Sequence, residues 1–139
     1  MLTVASIVET ALYIEDMQRS IAFYQTIFGF PVVLAEERIA TLRVTDRNVL
    51  LLFKQGASIN RSPAGGSALK HNAIGPSHVA FAIEAGDLTE WKSRLSQNGV
   101  GIESEIDWEG AGGSHNVYFR DPDNHLLELV TPGLWSMTW

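Results

Sequence analysis

The chain has 139 residues and is 45% hydrophobic, enough to bury the core of one compact domain or of two small fused modules. Its net charge of -6 argues against nucleic acid and against an anionic membrane surface as partners, and no apolar run reaches the roughly 20 residues of a membrane-spanning helix. Cysteine is absent, which excludes disulfides, thiolate metal sites and a cysteine nucleophile; with no basic-then-apolar leader at Met1-Leu2-Thr3-Val4, the expected location is cytoplasmic.

The first predicted strand covers residues 7–14. Alternation puts Val8, Thr10, Leu12 and Ile14 on one face and Glu9, Ala11 and Tyr13 on the other. A helix follows from Met17, with Asp16 as its N-cap and Met17, Ile21, Tyr24 and Phe28 as its apolar stripe; Gly29 ends it. Strands are predicted near 31–36, 38–44 and 48–53, the last two separated by the turn Thr45-Asp46-Arg47-Asn48. Residues 55–77, with four glycines and two prolines, read as a join between halves.

The pattern then restarts. Residues 77–83 form a strand with Val79, Phe81 and Ile83 on one face and His78, Ala80 and Ala82 on the other. Asp87 and Glu90 have the spacing of a capping box, Leu88, Trp91 and Leu95 form a helix stripe, and Asn98-Gly99 ends the helix. Strands follow near 100–107, 116–120 and 126–131, with the turn Asp121-Pro122-Asp123-Asn124 between the last two. The glycine-rich loop 108–114 lacks the lysine and the strand–loop–helix context of a phosphate loop, so it carries no nucleotide meaning. Glu9 and His78 are 69 residues apart, Gly29 and Gly99 are 70, Asp16 and Asp87 are 71, and the turn residues Asp46 and Asp123 are 77. This is an internal repeat of strand, helix and three strands. The predicted fold is α+β: two tandem βαβββ modules, 1–55 and 77–139, joined by a linker at 56–76, their curved mixed sheets forming a half-barrel around a shared cavity.

A helix covers the more apolar face of its sheet. That leaves Glu9 and His78, each followed by small residues, on the open faces, and the same rule places Glu128 there. A carboxylate among Leu126, Leu127, Leu129 and Val130 is costly to bury unless something pairs it. Glu9, His78 and Glu128 are therefore candidate ligands for one divalent ion, with open positions for substrate. The plainer readings are a solvated strand carboxylate for either glutamate and a satisfied core imidazole for His78. The repeat puts Leu51 where a fourth ligand would stand, and leucine cannot ligate.

These motifs resemble the vicinal oxygen chelate superfamily, which includes glyoxalase I, extradiol dioxygenases, fosfomycin-resistance enzymes and bleomycin-binding proteins. The resemblance covers nearly the whole chain. It is carried by Glu9-Thr10-Ala11-Leu12-Tyr13-Ile14, Asp16, Ser20, Phe23-Tyr24, Phe28-Gly29-Phe30, Ser77-His78-Val79-Ala80-Phe81, Tyr118-Phe119-Arg120-Asp121-Pro122-Asp123 and Leu127-Glu128-Leu129. It implies metal ligands at Glu9, His78 and Glu128, a cavity-facing Tyr118 that donates to substrate, Glu9 or Glu128 as proton acceptor, and a homodimer. The family more often has histidine at the position of Glu9. A carboxylate there favours manganese, magnesium, zinc or nickel over iron, and redox-neutral chemistry over oxygen-dependent ring cleavage. The expected function is a divalent-metal-dependent glyoxalase or lyase-type enzyme acting on a small oxygen-rich substrate. The alternative is a metal-free small-molecule-binding protein of the bleomycin-resistance kind, with Trp108, Trp135 and Trp139 as candidate lining. A thiol transferase acting on a phosphonate ranks lower, because Arg120 and Lys54 are isolated rather than clustered. His71, His115 and His125 are left without a role.

Overall fold

The structure, a computed structural model, describes residues 1–59, 71–109 and 112–139. Residues 60–70 of the predicted linker and 110–111 of the glycine-rich loop lie outside the described residues. The chain divides into two compact units, Met1–Ile74 and Gly75–Trp139.

The first unit runs β1 (Glu9–Ile14), α1 (Met17–Phe28), β2 (Val32–Ala35), β3 (Ile39–Arg43) and β4 (Val49–Lys54). Its four-stranded sheet has the order β1-β4-β3-β2, with β1 parallel to β4 and the other pairs antiparallel. Asp16 caps α1 by accepting a hydrogen bond from the Arg19 N–H at 3.0 Å, and Gly29 ends it at φ 71°, where a side chain would be strained. The buried helix stripe is Met17, Ser20, Ile21, Tyr24 and Ile27. Ile27 takes the place predicted for Phe28, which is half-buried and stacks on Tyr24 and Phe30. Leu12 and Ile14 are fully buried with Ala40, Leu42, Leu50 and Leu52, so the odd-numbered face of β1 is the open one, as its alternation predicts.

The second unit repeats the plan: β5 (His78–Ala82), α2 (Leu88–Gln97), β6 (Ile102–Trp108), β7 (Ser114–Arg120) and β8 (Leu126–Val130), with sheet order β5-β8-β7-β6. The predicted capping box does not form. Asp87 closes a short 3-10 turn, Ala85–Asp87, with near-helical backbone (φ -91°, ψ -6°), and its side chain makes no cap hydrogen bond. A cap must stand in extended backbone to aim its oxygen at the first free N–H groups, and the 3-10 turn removes that geometry. Val117, Phe119, Leu127, Leu129 and, on α2, Leu95 are all fully buried, each stabilising by about 1.5–3 kcal/mol.

The turn between β7 and β8 is held by Asp121, whose Oδ1 accepts from the N–H groups of Asp123 (3.0 Å) and His125 (2.8 Å). Asn124 takes the left-handed conformation (φ 66°) that this turn requires. Beyond β8 the backbone of Gly133 presses on that of Gly112. A Cβ on Gly112 would stand 2.7 Å from the Gly133 carbonyl oxygen, so no side chain fits there. The tail is only partly packed: the Trp139 indole N–H donates to the Ile83 carbonyl at 3.3 Å, while Trp135 is 75% exposed.

The two sheets repeat in register as well as in order. β1 pairs Glu9 with Val49, Ala11 with Leu51 and Tyr13 with Phe53; β5 pairs His78 with Leu126, Ala80 with Glu128 and Ala82 with Val130. The third strands follow suit, Thr41 opposite Leu51 and Tyr118 opposite Glu128. The α+β expectation of two βαβββ modules therefore holds at the level of individual residue pairs.

Candidate functional site

Strand parity gathers polar side chains on one face of the second sheet. His78 comes from β5, Glu128 from β8 opposite the small Ala80, and Asn116 and Tyr118 from β7. The imidazole of His78 stands with Nε2 3.1 Å from Oε2 of Glu128. Its other nitrogen is 3.0 Å from the Leu126 carbonyl oxygen. A carbonyl only accepts, so Nδ1 carries the proton of that hydrogen bond, and in the neutral ring Nε2 is left with a lone pair. Glu128 is 4% exposed. Its second oxygen, Oε1, accepts a hydrogen bond from the Asn116 side-chain amide, and the Asn116 Oδ1 accepts from the Ser114 hydroxyl at 2.8 Å.

Two lone-pair atoms, Nε2 and Oε2, thus face each other across 3.1 Å with the remainder of each side chain already engaged. Such a contact is repulsive unless a positive centre, a proton or a metal ion, lies between or beside them. This donor set fits a divalent ion: one imidazole with its tautomer fixed by a carbonyl, and one carboxylate steadied by an amide. Within the second unit, among the described residues, no third histidine or acid joins the pair to make a metal-holding cluster.

Tyr118 extends the network. Burial pushes its phenol up from the ordinary value, and its hydrogen bond to Glu128 pushes in the same direction; Asn116 and the Trp108 indole pull it back more weakly. The phenol is therefore a protonated donor at neutral pH. Its ring lies nearly parallel to that of His78, 6.5 Å between centroids.

Glu9 opens β1 in the first unit, exposed, on the face that carries Ala11 and Tyr13. On the same face Tyr13 stacks on Phe53 (5.9 Å) and its hydroxyl meets His71 Nδ1 at 2.5 Å. His71, which the sequence places in the linker, thus rests on β1 and β4. Leu51, the position equivalent to Glu128, is buried and apolar. Arg120 is held by Glu103 through two hydrogen bonds, 2.6 and 2.8 Å, with a third to the Asn124 carbonyl; their pairing moves the Glu103 carboxyl down and the guanidinium up.

The remaining histidines serve elsewhere. His125 is 2% exposed, and its Nδ1 accepts from the Ser77 N–H at 2.8 Å, tying the turn to the start of β5. His115 has the opposite strand parity from Glu128. It lies between Asp107 (2.5 Å) and Glu105 (2.9 Å), which raise its pKa, Asp107 most. Lys92 approaches the same Glu105 oxygen at 2.8 Å and is the larger cause of that carboxyl's lowered pKa.

Asn116 and Ser114 escaped the sequence reading. Their signal was available: two residues before Tyr118, and two again, each is a polar side chain of the same strand parity as Tyr118.

A family model described as the Glyoxalase/Bleomycin resistance protein/Dioxygenase superfamily matches residues 6–129. Metallothiol transferase FosB of Shouchella clausii is 30% identical over 123 residues, covering 85% of this chain and 74% of that protein. Glutathione transferase FosA of Serratia marcescens is 28% identical over 118 residues, covering 85% and 74%. Among solved structures, lactoylglutathione lyase from Agrobacterium tumefaciens superposes with a TM-score of 0.86 at 32% identity, covering 96% of this chain and 98% of that one.

Proposed function

The chain belongs to the Glyoxalase/Bleomycin resistance protein/Dioxygenase superfamily, and on that premise we propose that it is a divalent-metal-dependent enzyme acting on a small oxygen-rich molecule, by lyase, isomerase or transferase chemistry without net oxidation. The observation that carries this reading is the pair of lone-pair atoms facing each other, Nε2 of His78 and Oε2 of Glu128 at 3.1 Å. His78 and Glu128 would hold the ion, with Glu9 of the first unit as the third donor, from the same chain or from a second copy in a homodimer. What such an ion supplies is a Lewis-acidic centre for two neighbouring substrate oxygens.

The chain's own residues then have distinct tasks. The Leu126 carbonyl keeps the His78 tautomer that presents Nε2. Glu128 brings negative charge, and Ala80, its partner on β5, leaves space above the sheet. Tyr118, protonated and close to Glu128, donates to an anionic substrate oxygen or steadies the carboxylate. Glu9 and Glu128 are the candidate proton acceptors, since a carboxylate that leaves its partner becomes a free base.

Three similar proteins carry names that contain a thiol or a thiol adduct: a metallothiol transferase, a glutathione transferase and a lactoylglutathione lyase. Thiol-bearing compounds are thus the first substrates to test, alone and with small electrophiles. A phosphonate acceptor is less favoured, because Arg120, the cation on β7, is committed to Glu103.

Elemental analysis of purified protein beside its His78→Ala variant tests the proposal. Stoichiometric manganese, magnesium, zinc, nickel or iron in the parent and its loss in the variant are expected. Protein that arrives metal-free, regains none from a panel of these ions and still binds small planar compounds in chelator would instead identify a metal-free binding protein.

A further inference from the structure

The Asn116 amide touches Glu128, Ser114 touches Asn116 behind it, and neither takes part in the proposed chemistry. Both side chains are almost fully buried, Asn116 at 0% and Ser114 at 1%. They stand two residues apart on β7, on the face that carries Tyr118. The orientation of the Asn116 amide follows from its neighbours. An ionised carboxylate only accepts, so the amide must turn its NH2 toward Glu128 Oε1. Its carbonyl then faces Ser114, whose hydroxyl donates to it at 2.8 Å. With the amide turned over, two oxygens would meet at Glu128 and the Ser114 proton would lose its acceptor.

We propose that Ser114 and Asn116 are positioning residues that select which oxygen of Glu128 faces the ion: the amide holds Oε1, which turns Oε2 toward His78 Nε2 as the donor placed to bind. This rests on the metal-dependent reading above. It adds that the geometry of the site is set by a hydrogen-bonded relay which starts at a serine that touches neither ligand. The relay also separates this unit from its repeat. The residue equivalent to Asn116 is Ile39, opposite Phe53, and the residue equivalent to Glu128 is Leu51, so the first unit has neither the carboxylate nor the amide to hold it.

Two measurements on the full chain decide the matter. The first needs no metal. In 15N-labelled, metal-free protein, one Asn116 side-chain amide proton should resonate downfield and exchange slowly with solvent. It should move in Glu128→Gln and become less protected in Ser114→Ala. An Asn116 amide signal indistinguishable from that of an exposed asparagine, and unmoved in Glu128→Gln, overturns the proposal.

The second is Mn2+ affinity by competition with a chelating dye. Ser114→Ala should weaken binding about 10-fold and Asn116→Asp, which faces the carboxylate with another acceptor, about 100-fold, the range found for residues that orient metal ligands. Ser114→Thr, which keeps the hydroxyl, should restore most of the loss. A purely structural role predicts a lower melting temperature in Ser114→Ala with unchanged Mn2+ affinity, and that result also overturns the proposal. Should the parent protein bind no divalent ion, the metal-dependent reading falls, and the amide signal alone decides whether Asn116 holds Glu128.

Discussion

Glu128→Gln separates a metal ion from a proton as the positive centre at this site. In the parent, Nε2 of His78 faces Oε2 of Glu128 at 3.1 Å, two acceptors with nothing of the protein between them. A glutamine of the same shape keeps Oε1 for the Asn116 amide and turns its own NH2 toward the His78 lone pair. One repulsive contact becomes one hydrogen bond, with a net gain of about 1 kcal/mol. For a domain of this length that raises the melting temperature by about 3–5 °C. The same change removes the charge that would hold the ion. At a free ion concentration of 100 times Kd, the parent should gain about 2.7 kcal/mol on metal binding, about 10 °C, and the variant nothing. The assay is thermal unfolding at pH 8, in chelator and then in excess Mn2+. A variant that melts several degrees below the parent in chelator would mean that a proton on His78 already pairs with Glu128. Equal metal-induced shifts in the two proteins would mean that the ion binds elsewhere. Either result refutes the reasoning.

The other predictions concern the frame around the site. His115 has its pKa raised by Asp107 and Glu105, so its contribution to stability is fully present below its unfolded pKa of about 6.5 and fades as the pH rises through the folded value. Unfolding midpoints compared at pH 6 and pH 9 should fall more in the parent than in His115→Gln, and equal falls would refute the pairing. Leu95→Ala empties the one fully buried position on α2 and should destabilise by about 2–5 kcal/mol in urea unfolding, as core truncations do; a loss below 1 kcal/mol would show the helix face to be loosely packed. Gly112→Ala drives a Cβ to 2.7 Å from the Gly133 carbonyl, whereas Gly113→Ala meets nothing within 4 Å and bears only the strain of its φ of 85°. The first should lower the melting temperature more than the second, and the reverse order would refute the contact.

Legibility differed between the layers of this structure. Strand parity was readable because each sheet buries one face: Leu12 and Ile14 went in and Glu9 stayed out, and the same alternation carried His78, Glu128 and Tyr118 to one side. The α1 cap was readable because Asp16 sits in extended backbone directly before an amphipathic run. Asp87 has the same spacing to its helix but is the last residue of a 3-10 turn, a backbone state that side-chain pattern does not encode. His125 could not be assigned from its strand because its work is done at the turn, where Ser77, 48 residues away, donates to its ring. Asn116 was legible in principle; an amide on the same strand face as Tyr118 has to find a partner when buried, and Glu128 on the adjacent strand supplies the acceptor.

The repeat clarifies why one unit carries most of the candidate chemistry. Matching rows of the two sheets hold Ala11, Leu51 and Thr41 in the first and Ala80, Glu128 and Tyr118 in the second. The backbone pairing is the same, so strand geometry is not what distinguishes them. The difference lies in what each row can satisfy. A carboxylate at the Leu51 position would have Thr41 beside it, and Ile39 and Phe53 in place of the Asn116–Val130 row, leaving one hydroxyl where Glu128 has an amide and a phenol. Burying charge against so few donors costs several kcal/mol, more than such a sheet can spare. A duplicated scaffold therefore offers two equivalent rows, but a buried acid persists only where the neighbouring strand supplies its hydrogen bonds. Glu9 escapes that constraint because it lies exposed at the first position of β1, where water can satisfy it.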